Sequence, residues 1–412
     1  MPQALNRQLG GFDATTVGVG SMIGAGVFVV FSPAAAAAGS LLPLAVGLAA
    51  IIAYANAAAS AQLATVHPVS GGTYTYGRRQ LGQWPGFLAG WSFITGKLAS
   101  CAAMALTFGL YAAPGFEKAA GAAAVVALTV VNLLGITRTA MMTRIIVALV
   151  IPVLAFVIVA AFAQPAADGG ALPVGPTGVL QAAGLMFFAF AGYARIATMG
   201  EEVREPGRNI PRAIFGALGF TLALYLLLAF GLLSAVGPDT LAASPAPLTE
   251  VFPDGDSIPV LAVAVAAALA SLGALLALIS GIARTTLAMA REGDLPRVFS
   301  AVSARRATPF AAELATAAVV IILLLATDVL TVVGFSSFGV LLYYAVANLS
   351  ALTLTSRPWY APRALNLLGL VGCLVLAFTL PAQSVLTMTA LVLVGLAGRA
   401  AVILLRRRRH RA

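Results

Sequence analysis

The chain has 412 residues, of which 60% are hydrophobic and 9% are charged, with a net charge of +10. Soluble globular domains carry about 25% charged residues, so this composition excludes a string of soluble domains and leaves no room for a separate catalytic domain. Two cysteines and two histidines are too few for a disulfide framework or a His/Cys/carboxylate metal cluster. We therefore expect no enzyme activity, metal or cofactor.

Hydropathy predicts an all-α polytopic membrane protein. A stretch of about 20 apolar residues is long enough to cross the hydrocarbon core of a bilayer. Twelve such segments follow one another, at 14–37, 41–63, 85–113, 119–136, 143–163, 178–199, 213–236, 258–290, 311–327, 329–355, 364–381 and 384–405. They predict one bundle of about twelve transmembrane helices.

Glycines interrupt two of these segments at matching places. The first contains Gly20-Ser21-Met22-Ile23-Gly24-Ala25-Gly26 at its middle, and the sixth is broken around Phe190-Ala191-Gly192-Tyr193. Such breaks free backbone groups that hydrocarbon cannot satisfy, so they survive where they line a cavity or meet a ligand. Paired breaks in two halves of a chain are typical of the midplane site of a secondary transporter. Close packing of small residues between helices is the alternative interpretation.

The placement of charge predicts the orientation. Loops on one side of the twelve segments are rich in arginine (the arginine-rich side), whereas loops on the other are acidic, with Lys118 as their only cation. The positive-inside rule places the arginine-rich side and both termini in the cytoplasm. We expect the Arg406–Arg411 tail to rest on anionic lipid rather than on nucleic acid. The alanine- and arginine-rich composition favours the inner membrane of a high-GC bacterium.

Four motifs between residues 11 and 309 resemble the amino acid–polyamine–organocation (APC) superfamily, in its amino acid permease branch. In order, they are Gly11-Phe12-Asp13 with the run from Gly18 to Phe28, His67-Pro68-Val69-Ser70-Gly71-Gly72-Thr73-Tyr74-Thr75-Tyr76, Phe188 to Gly192 with Glu201 to Pro211, and Ala290 to Pro296 with Thr308-Pro309. One position departs from the pattern. Gln62 stands where the family commonly has an acidic residue, which weakens any proton-coupling role there.

The resemblance implies a leucine-transporter-type fold with a five-plus-five inverted repeat and broken helices 1 and 6. Residues 1–163 would form the first repeat, 164–355 the inverted second repeat, and 356–412 two peripheral helices with the basic tail. It also implies alternating access around a site between helices 1, 3, 6, 8 and 10. A monomer is sufficient for this architecture, and a homodimer stays open.

The resemblance also implies where an amino acid would bind. Its carboxylate would lie on the helix 1 turn, and its amine would meet carbonyls near Gly20 and around Phe190 and Ala191, because broken helix ends suit both charges. Phe188 occupies a position where the family often has a gating aromatic. The substrate-binding candidates are Gly20, Ser21, Met22, Ile23, Gly24, Ala25, Gly26, Lys97, Phe188, Phe190, Ala191, Gly192 and Ala194.

Two cations lie inside predicted helices, where an ionisable residue indicates function by default. Lys97 lies deep in helix 3 and is the candidate for proton coupling; alternatively it replaces a sodium ion, meets an acidic group on the substrate, or links helix carbonyls. Arg195 would bind a carboxylate or pair with Glu201. With no acidic residue in the membrane core to balance these cations, we expect neutral or acidic amino acids rather than polyamines.

Salt bridges on the arginine-rich side are candidates for an inner gate, since broken pairs would shift the inward/outward equilibrium. The gate candidates are Phe188, Arg195, Glu201, Glu202 and Arg284. The expected function is a secondary amino acid transporter, either a proton-linked symporter or an exchanger. The alternatives are a permease for an amine, polyamine or other small solute, since fold does not fix substrate, and a non-transporting sensor of the same fold.

Overall fold

A computed structural model describes residues 10–67, 72–135, 139–167, 174–193, 196, 203–252, 257–303 and 308–409. They form sixteen α-helices joined by short turns and 3₁₀ segments. The helices are α1 Gly11–Met22, α2 Gly26–Val29, α3 Phe31–Ala38, α4 Leu42–Val66, α5 Gly72–Leu81, α6 Gln83–Ala112, α7 Glu117–Leu133, α8 Thr139–Ala163, α9 Gly178–Phe190, α10 Pro206–Val236, α11 Pro238–Ala243, α12 Ser257–Arg291, α13 Phe310–Ala326, α14 Val329–Leu352, α15 Arg363–Phe378 and α16 Ala382–Arg409.

These helices overlap all twelve predicted apolar segments. Within the described residues, eight spans are long and apolar enough to cross a membrane, and three shorter apolar helices accompany them: Gly178–Tyr193, Phe310–Ala326 and Arg363–Phe378. Helices of 16 residues or so fall short of the roughly 20 that a perpendicular crossing requires. The chain is therefore a multi-span membrane protein.

Helix α6 is the central scaffold, because it packs along both α14 and α12. Its approach to α14 depends on two facing glycines. A Cβ on Gly96 would lie 3.1 Å from the Gly339 Cα, and one on Gly339 would lie 2.7 Å from the Gly96 Cα. Next to this contact, the buried hydroxyls of Ser100 and Ser336 are 2.6 Å apart. Small residues thus hold two backbones closer than larger side chains would permit.

Two segments differ from the pattern expected of them. The residues from Gly72 to Leu81, which the sequence suggests as part of a loop motif, form the amphipathic helix α5, with Tyr74 and Tyr76 buried. A helix here is hard to read from sequence because it opens on glycine. Helix α16 continues through Arg409, so the basic tail extends a helix instead of following one.

Candidate functional site

The first apolar segment is divided where its glycines lie. Helix α1 ends at Met22, and the Gly24 N–H donates to the Met22 carbonyl oxygen at 2.9 Å, which turns the chain before α2 begins at Gly26. The first N–H groups of a helix have no acceptor within it. The turn therefore interrupts the helix at the middle of the segment, where the sequence predicts a break.

The break in the sixth segment lies against this turn. After Phe190, α9 tightens into a 3₁₀ segment from Ala191 to Tyr193. A Cβ on Gly192 would overlap the Ser21 carbonyl, and one on Gly26 would lie 2.9 Å from the Ala189 Cα. Glycine at both positions therefore permits the two broken segments to touch, so the packing interpretation applies to Gly192 and Gly26.

Gly24 has a different environment. A Cβ there would meet only side chains: the Ala274 methyl at 3.1 Å and the Met104 terminal methyl at 3.8 Å. By contrast, a Cβ on Gly20 would overlap Thr143 and lie 2.7 Å from a Val147 methyl of α8. Gly24 is thus the turn glycine that faces side chains of α6 and α12, the helices expected to line the site.

The other turn candidates contribute backbone more than side chain. The Ser21 hydroxyl donates to the Val17 carbonyl in its own helix at 2.7 Å, so it is already engaged. Met22, Ile23 and Ala25 are at most 2% exposed and belong to the apolar core. Any ligand at this turn would therefore meet peptide groups.

A tyrosine that sequence reasoning missed joins the two breaks. The Tyr225 hydroxyl on α10 lies 2.9 Å from the Met22 carbonyl oxygen and 3.2 Å from that of Ala189, and it is the donor to both. Tyr225 is fully buried. The one tyrosine of α10, in the apolar part of that helix, was the available signal, because a buried hydroxyl needs a partner.

Aromatic side chains enclose this junction. The Phe190 ring meets the Tyr225 ring edge to face at a centroid distance of 5.1 Å, and Phe31 meets it from another side at 6.3 Å. Phe188 lies beside α2, since a Cβ on Gly26 would be 3.2 Å from its ring. Phe190 is therefore a core residue, whereas Phe188 lies next to the helix 1 segment that it is expected to gate.

Lys97 is buried but is not at the turn. It is 8% exposed, and no described residue provides it with a hydrogen bond or ion pair. The α6 side chain that reaches Gly24 is Met104, seven residues further along. Seven residues are two helical turns, or about 10 Å, on the same face of the helix. Along α6, Lys97 is therefore two turns away from the residue whose side chain reaches Gly24.

Four candidates, Ala194, Arg195, Glu201 and Glu202, lie outside the described residues. Arg284 is exposed, and its guanidinium is close enough to Glu313 to interact electrostatically. Glu313 was missed in the sequence, where it stands in the first turn of an apolar segment. It is 2% exposed, and one of its carboxylate oxygens has no hydrogen bond.

The ion pairs on the arginine-rich side centre on Asp294, which sequence reasoning also missed. Its carboxylate accepts from Arg78 at 2.7 Å, from the Tyr74 hydroxyl at 2.8 Å and from Arg399 of α16. Arg78 makes a second pair with Glu292 at 3.0 Å. Hydrogen bonds and ion pairs thus connect five side chains, from α5, from α16 and from the turn that follows α12.

Arg399 is further enclosed by aromatic rings. Its guanidinium lies 5.2 Å from the Trp84 ring centroid and 4.9 Å from that of Phe87, both on α6. Trp91, one turn beyond Phe87, donates its indole N–H to the Leu391 carbonyl of α16 at 2.9 Å. These contacts therefore hold α16 against the first half of α6. From the sequence, α16 is expected to be a peripheral helix.

Outside the membrane helices, His67 follows the end of α4 and contacts the Gln80 side chain at 2.8 Å. Burial and the nearby Arg79 charge lower the pKa of this imidazole below its ordinary value. Across the described residues, no group of three or more His, Cys, Asp or Glu side chains is placed to hold a metal ion.

Comparison with known proteins is consistent with this arrangement. A family model described as amino acid permease matches residues 9–397. An uncharacterized transporter of Mycobacterium tuberculosis is 54% identical over 96% of this chain and 91% of its own length. A branched-chain amino acid permease of Bacillus subtilis is 29% identical over 75% of this chain and 72% of its own. A chloroplastic cationic amino acid transporter of Arabidopsis thaliana is 28% identical over 84% and 65%.

These relatives are transporters and permeases, not enzymes. The match extends past residue 309, where the sequence motifs stop, to residue 397 within α16. With its divided first helix, its short sixth helix and the tyrosine that joins them, this chain belongs to the amino acid permease family.

Proposed function

We propose that the protein is a secondary active transporter that moves neutral or acidic amino acids by alternating access, as a proton-linked symporter. The family supports amino acid transport in general. The relatives named above handle different amino acid classes, so the preference for neutral or acidic substrates rests on this chain's own charges. The positive charge of Lys97 would repel a cationic side chain on a substrate within the bundle.

The observation that carries this proposal is the contact between the two breaks. Helix 1 turns at Gly24, the sixth segment tightens at Ala191, and the Tyr225 hydroxyl binds a carbonyl of each. Breaks that meet one another at the centre of a membrane bundle provide backbone donors and acceptors for a zwitterion. The substrate carboxylate would then lie at the turn from Gly24 to Gly26.

The position proposed for the substrate amine depends on which backbone carbonyls Tyr225 does not bind. That hydroxyl already holds the Met22 and Ala189 carbonyls. The substrate ammonium would therefore meet carbonyls near Gly20 or around Phe190 and Ala191, or would displace the hydroxyl. Phe188 would close over the occupied site.

The proposed architecture is twelve transmembrane helices in a five-plus-five inverted repeat, with residues 1–163 and 164–355 as the repeats and 356–412 as the peripheral part. The proposed location is a bacterial inner membrane with both termini in the cytoplasm. This follows from the arginine-rich side under the positive-inside rule.

The test is uptake of a panel of labelled amino acids and amines into proteoliposomes, with and without an inward proton gradient. Accumulation of a neutral or acidic amino acid only with the gradient is the expected result. Uptake that requires amino acid preloaded inside would show an exchanger instead. Movement of amines alone, or of no solute, would contradict the proposal.

Lys97 is the proposed proton-coupling residue, because a buried amine without a charged partner is most readily neutralised. Lys97→Ala should remove the pH dependence of amino acid uptake while the protein still elutes as a folded species in detergent. The measurement is initial uptake rate across external pH. Wild-type pH dependence with wild-type rates in this variant would exclude Lys97 from coupling.

A further inference from the structure

Lys97 is the one buried cation on α6, and nothing described in its surroundings balances its charge. It is 8% exposed, and no described residue gives it a hydrogen bond or an ion pair. Burying an ammonium without a partner is costly in a membrane bundle. A side chain retained in this state is suited to a group that arrives from outside the protein.

The position of Lys97 follows from the contacts of Gly24. Gly24 faces Met104 on α6 and Ala274 on α12. Lys97 lies seven residues before Met104, and Gly281 lies seven residues after Ala274. Because seven residues make two turns, Lys97 is on the same face of α6 as Met104, and Gly281 is on the same face of α12 as Ala274. The two helices run in opposite directions here, so both steps lead toward the arginine-rich side.

This antiparallel register is fixed by a second contact. Seven residues before Lys97, a Cβ on Gly90 would lie 2.6 Å from the Met289 sulfur, near the end of α12. The α6 face that carries Gly90, Lys97 and Met104 therefore follows α12 from Met289 to Ala274. Lys97 is at the middle of that contact.

At the corresponding level of α12, Gly281 has open space in front of it. A Cβ on Gly281 would meet no atom within 4 Å, unlike the tight surroundings of Ala274. Two turns from the helix 1 turn, α6 thus provides an unpartnered ammonium and α12 provides an empty glycine face. We call this place the Lys97–Gly281 gap.

We propose that the Lys97–Gly281 gap is a subsite for a second carboxylate of the substrate, and that the preferred substrates are acidic amino acids. This rests on the proposed function, in which the α-carboxylate lies at the helix 1 turn. Along α6, Lys97 lies two turns, or about 10 Å, from Met104, whose terminal methyl lies beside Gly24. Glutamate carries a second carboxylate three carbons from the first, and Lys97 would form a charged hydrogen bond with it.

Glutamate and glutamine provide the test, because they have the same shape and differ in the charge of the side chain. The measurement is KM for uptake of each labelled compound into proteoliposomes of the full-length protein. Wild-type protein should prefer glutamate roughly ten-fold or more, since a charged pair in a poorly hydrated site discriminates strongly. Lys97→Met should abolish this ratio, and Lys97→Arg should retain part of it.

Matched controls are present in the same chain. Lys118 is the other lysine, and it binds the exposed Leu325 carbonyl at 2.8 Å; Lys118→Met should leave the glutamate/glutamine ratio unchanged. Gly281→Val should fill the gap and lower the ratio. Gly47→Val is its control, because a Cβ on Gly47 in α4 likewise meets nothing within 4 Å.

The outcomes separate this inference from the proposed function. Uptake of neutral amino acids without a preference for glutamate would overturn the subsite and leave amino acid transport in place. A glutamate/glutamine KM ratio that is unchanged in Lys97→Met would also overturn it, whatever the loss of proton coupling does to the uptake rate of that variant. Failure of every amino acid to move would overturn the proposed function, and the subsite with it. A ratio lost in Lys97→Met and Gly281→Val, but kept in both controls, would support it.

Discussion

A single hydroxyl joins the two interrupted segments of this bundle. An unpaired carbonyl in hydrocarbon costs several kcal/mol, so hydrogen-bond donors at the two breaks stabilise the bundle. The Met22 carbonyl already accepts the Gly24 N–H. Tyr225 provides a donor from α10 to both the Met22 and Ala189 carbonyls. Since one O–H carries one proton, the two carbonyls share it, and a small displacement of either segment transfers the bond. The hydrogen bond of Tyr225 is thus sensitive to movement of one segment relative to the other.

Tyr225→Phe should destabilise the protein by about 1 kcal/mol, which is typical of one intramembrane hydrogen bond. It should also slow transport, because the two segments lose their common anchor. Thermal unfolding in detergent and initial uptake rates check this. Tyr54→Phe is the control, since Tyr54 is 39% exposed. Equal behaviour of the two variants would show that the shared bond has no role.

At the scale of elements, the helix 1 turn lies against α12, where Gly24 faces Ala274. A Cβ on Gly24 would be 3.1 Å from the Ala274 methyl, closer than ordinary van der Waals contact. Loss of activity on enlarging Gly24 therefore has two explanations: collision with α12, or obstruction of the turn from Gly24 to Gly26, where the substrate carboxylate is proposed to bind. A paired substitution distinguishes them.

Gly24→Ala should lower substrate affinity at least ten-fold, because the added methyl shields the peptide donors of the turn. Combining it with Ala274→Gly removes the atom that the new methyl would meet. If the carboxylate binds at the turn from Gly24 to Gly26, substrate affinity should stay low in the double variant, as measured by equilibrium binding of labelled amino acid. Full recovery in the double variant would assign the effect to helix packing.

Asp294 is a second connection between elements. It and Arg399 both have side chains that are 5% exposed, whereas Glu292, which also pairs with Arg78, is 55% exposed. Removing one partner of a buried pair strands the other charge, while an exposed pair contributes little. The three helices α5, α12 and α16 are therefore held by one carboxylate.

Asp294→Asn should lower the free energy of unfolding by about 3 kcal/mol, because Arg399 is left buried without a counter-charge. Glu292→Gln should cost no more than about 1 kcal/mol. Unfolding midpoints of the two variants in the same detergent give the comparison. Similar midpoints would mean that the cluster is as hydrated as an exposed pair.

At the scale of the whole molecule, charge placement defines two sides of the bundle. Glu117 begins α7 on the acidic side and is partly exposed, and Glu292 follows α12 on the arginine-rich side and is exposed. The native cysteines, Cys101 and Cys373, are both fully buried. The parent chain is therefore a suitable background for labelling with a thiol reagent that does not cross membranes.

Glu117→Cys should react with such a reagent added to intact cells, and Glu292→Cys should react only after the cells are opened. This follows if the arginine-rich side faces the cytoplasm. The unsubstituted protein should remain unlabelled in both conditions. Labelling of Glu292→Cys in intact cells would reverse the proposed orientation.

The sequence by itself determined the membrane class, the approximate positions of the long apolar helices and the two interruptions. Hydrophobicity, charge in loops and glycine are local properties, and the bilayer acts on each segment separately. The permease motifs from Gly11 to Thr308 predicted the family for the same reason: each is a contiguous run. The full extent of the match appeared only from comparison with relatives.

Tertiary structure alone decided which distant residues meet. Tyr225 binds a carbonyl 203 positions away, and Asp294 pairs with Arg78 and Arg399 from 216 and 105 positions away. Nothing local to Asp294 distinguishes it from other loop charges, and a tyrosine in an apolar segment indicates that it needs a partner without showing which one. Lys97 shows the same division: its burial was predictable from its segment, but its distance from the helix 1 turn was set by the packing of α6 against α12.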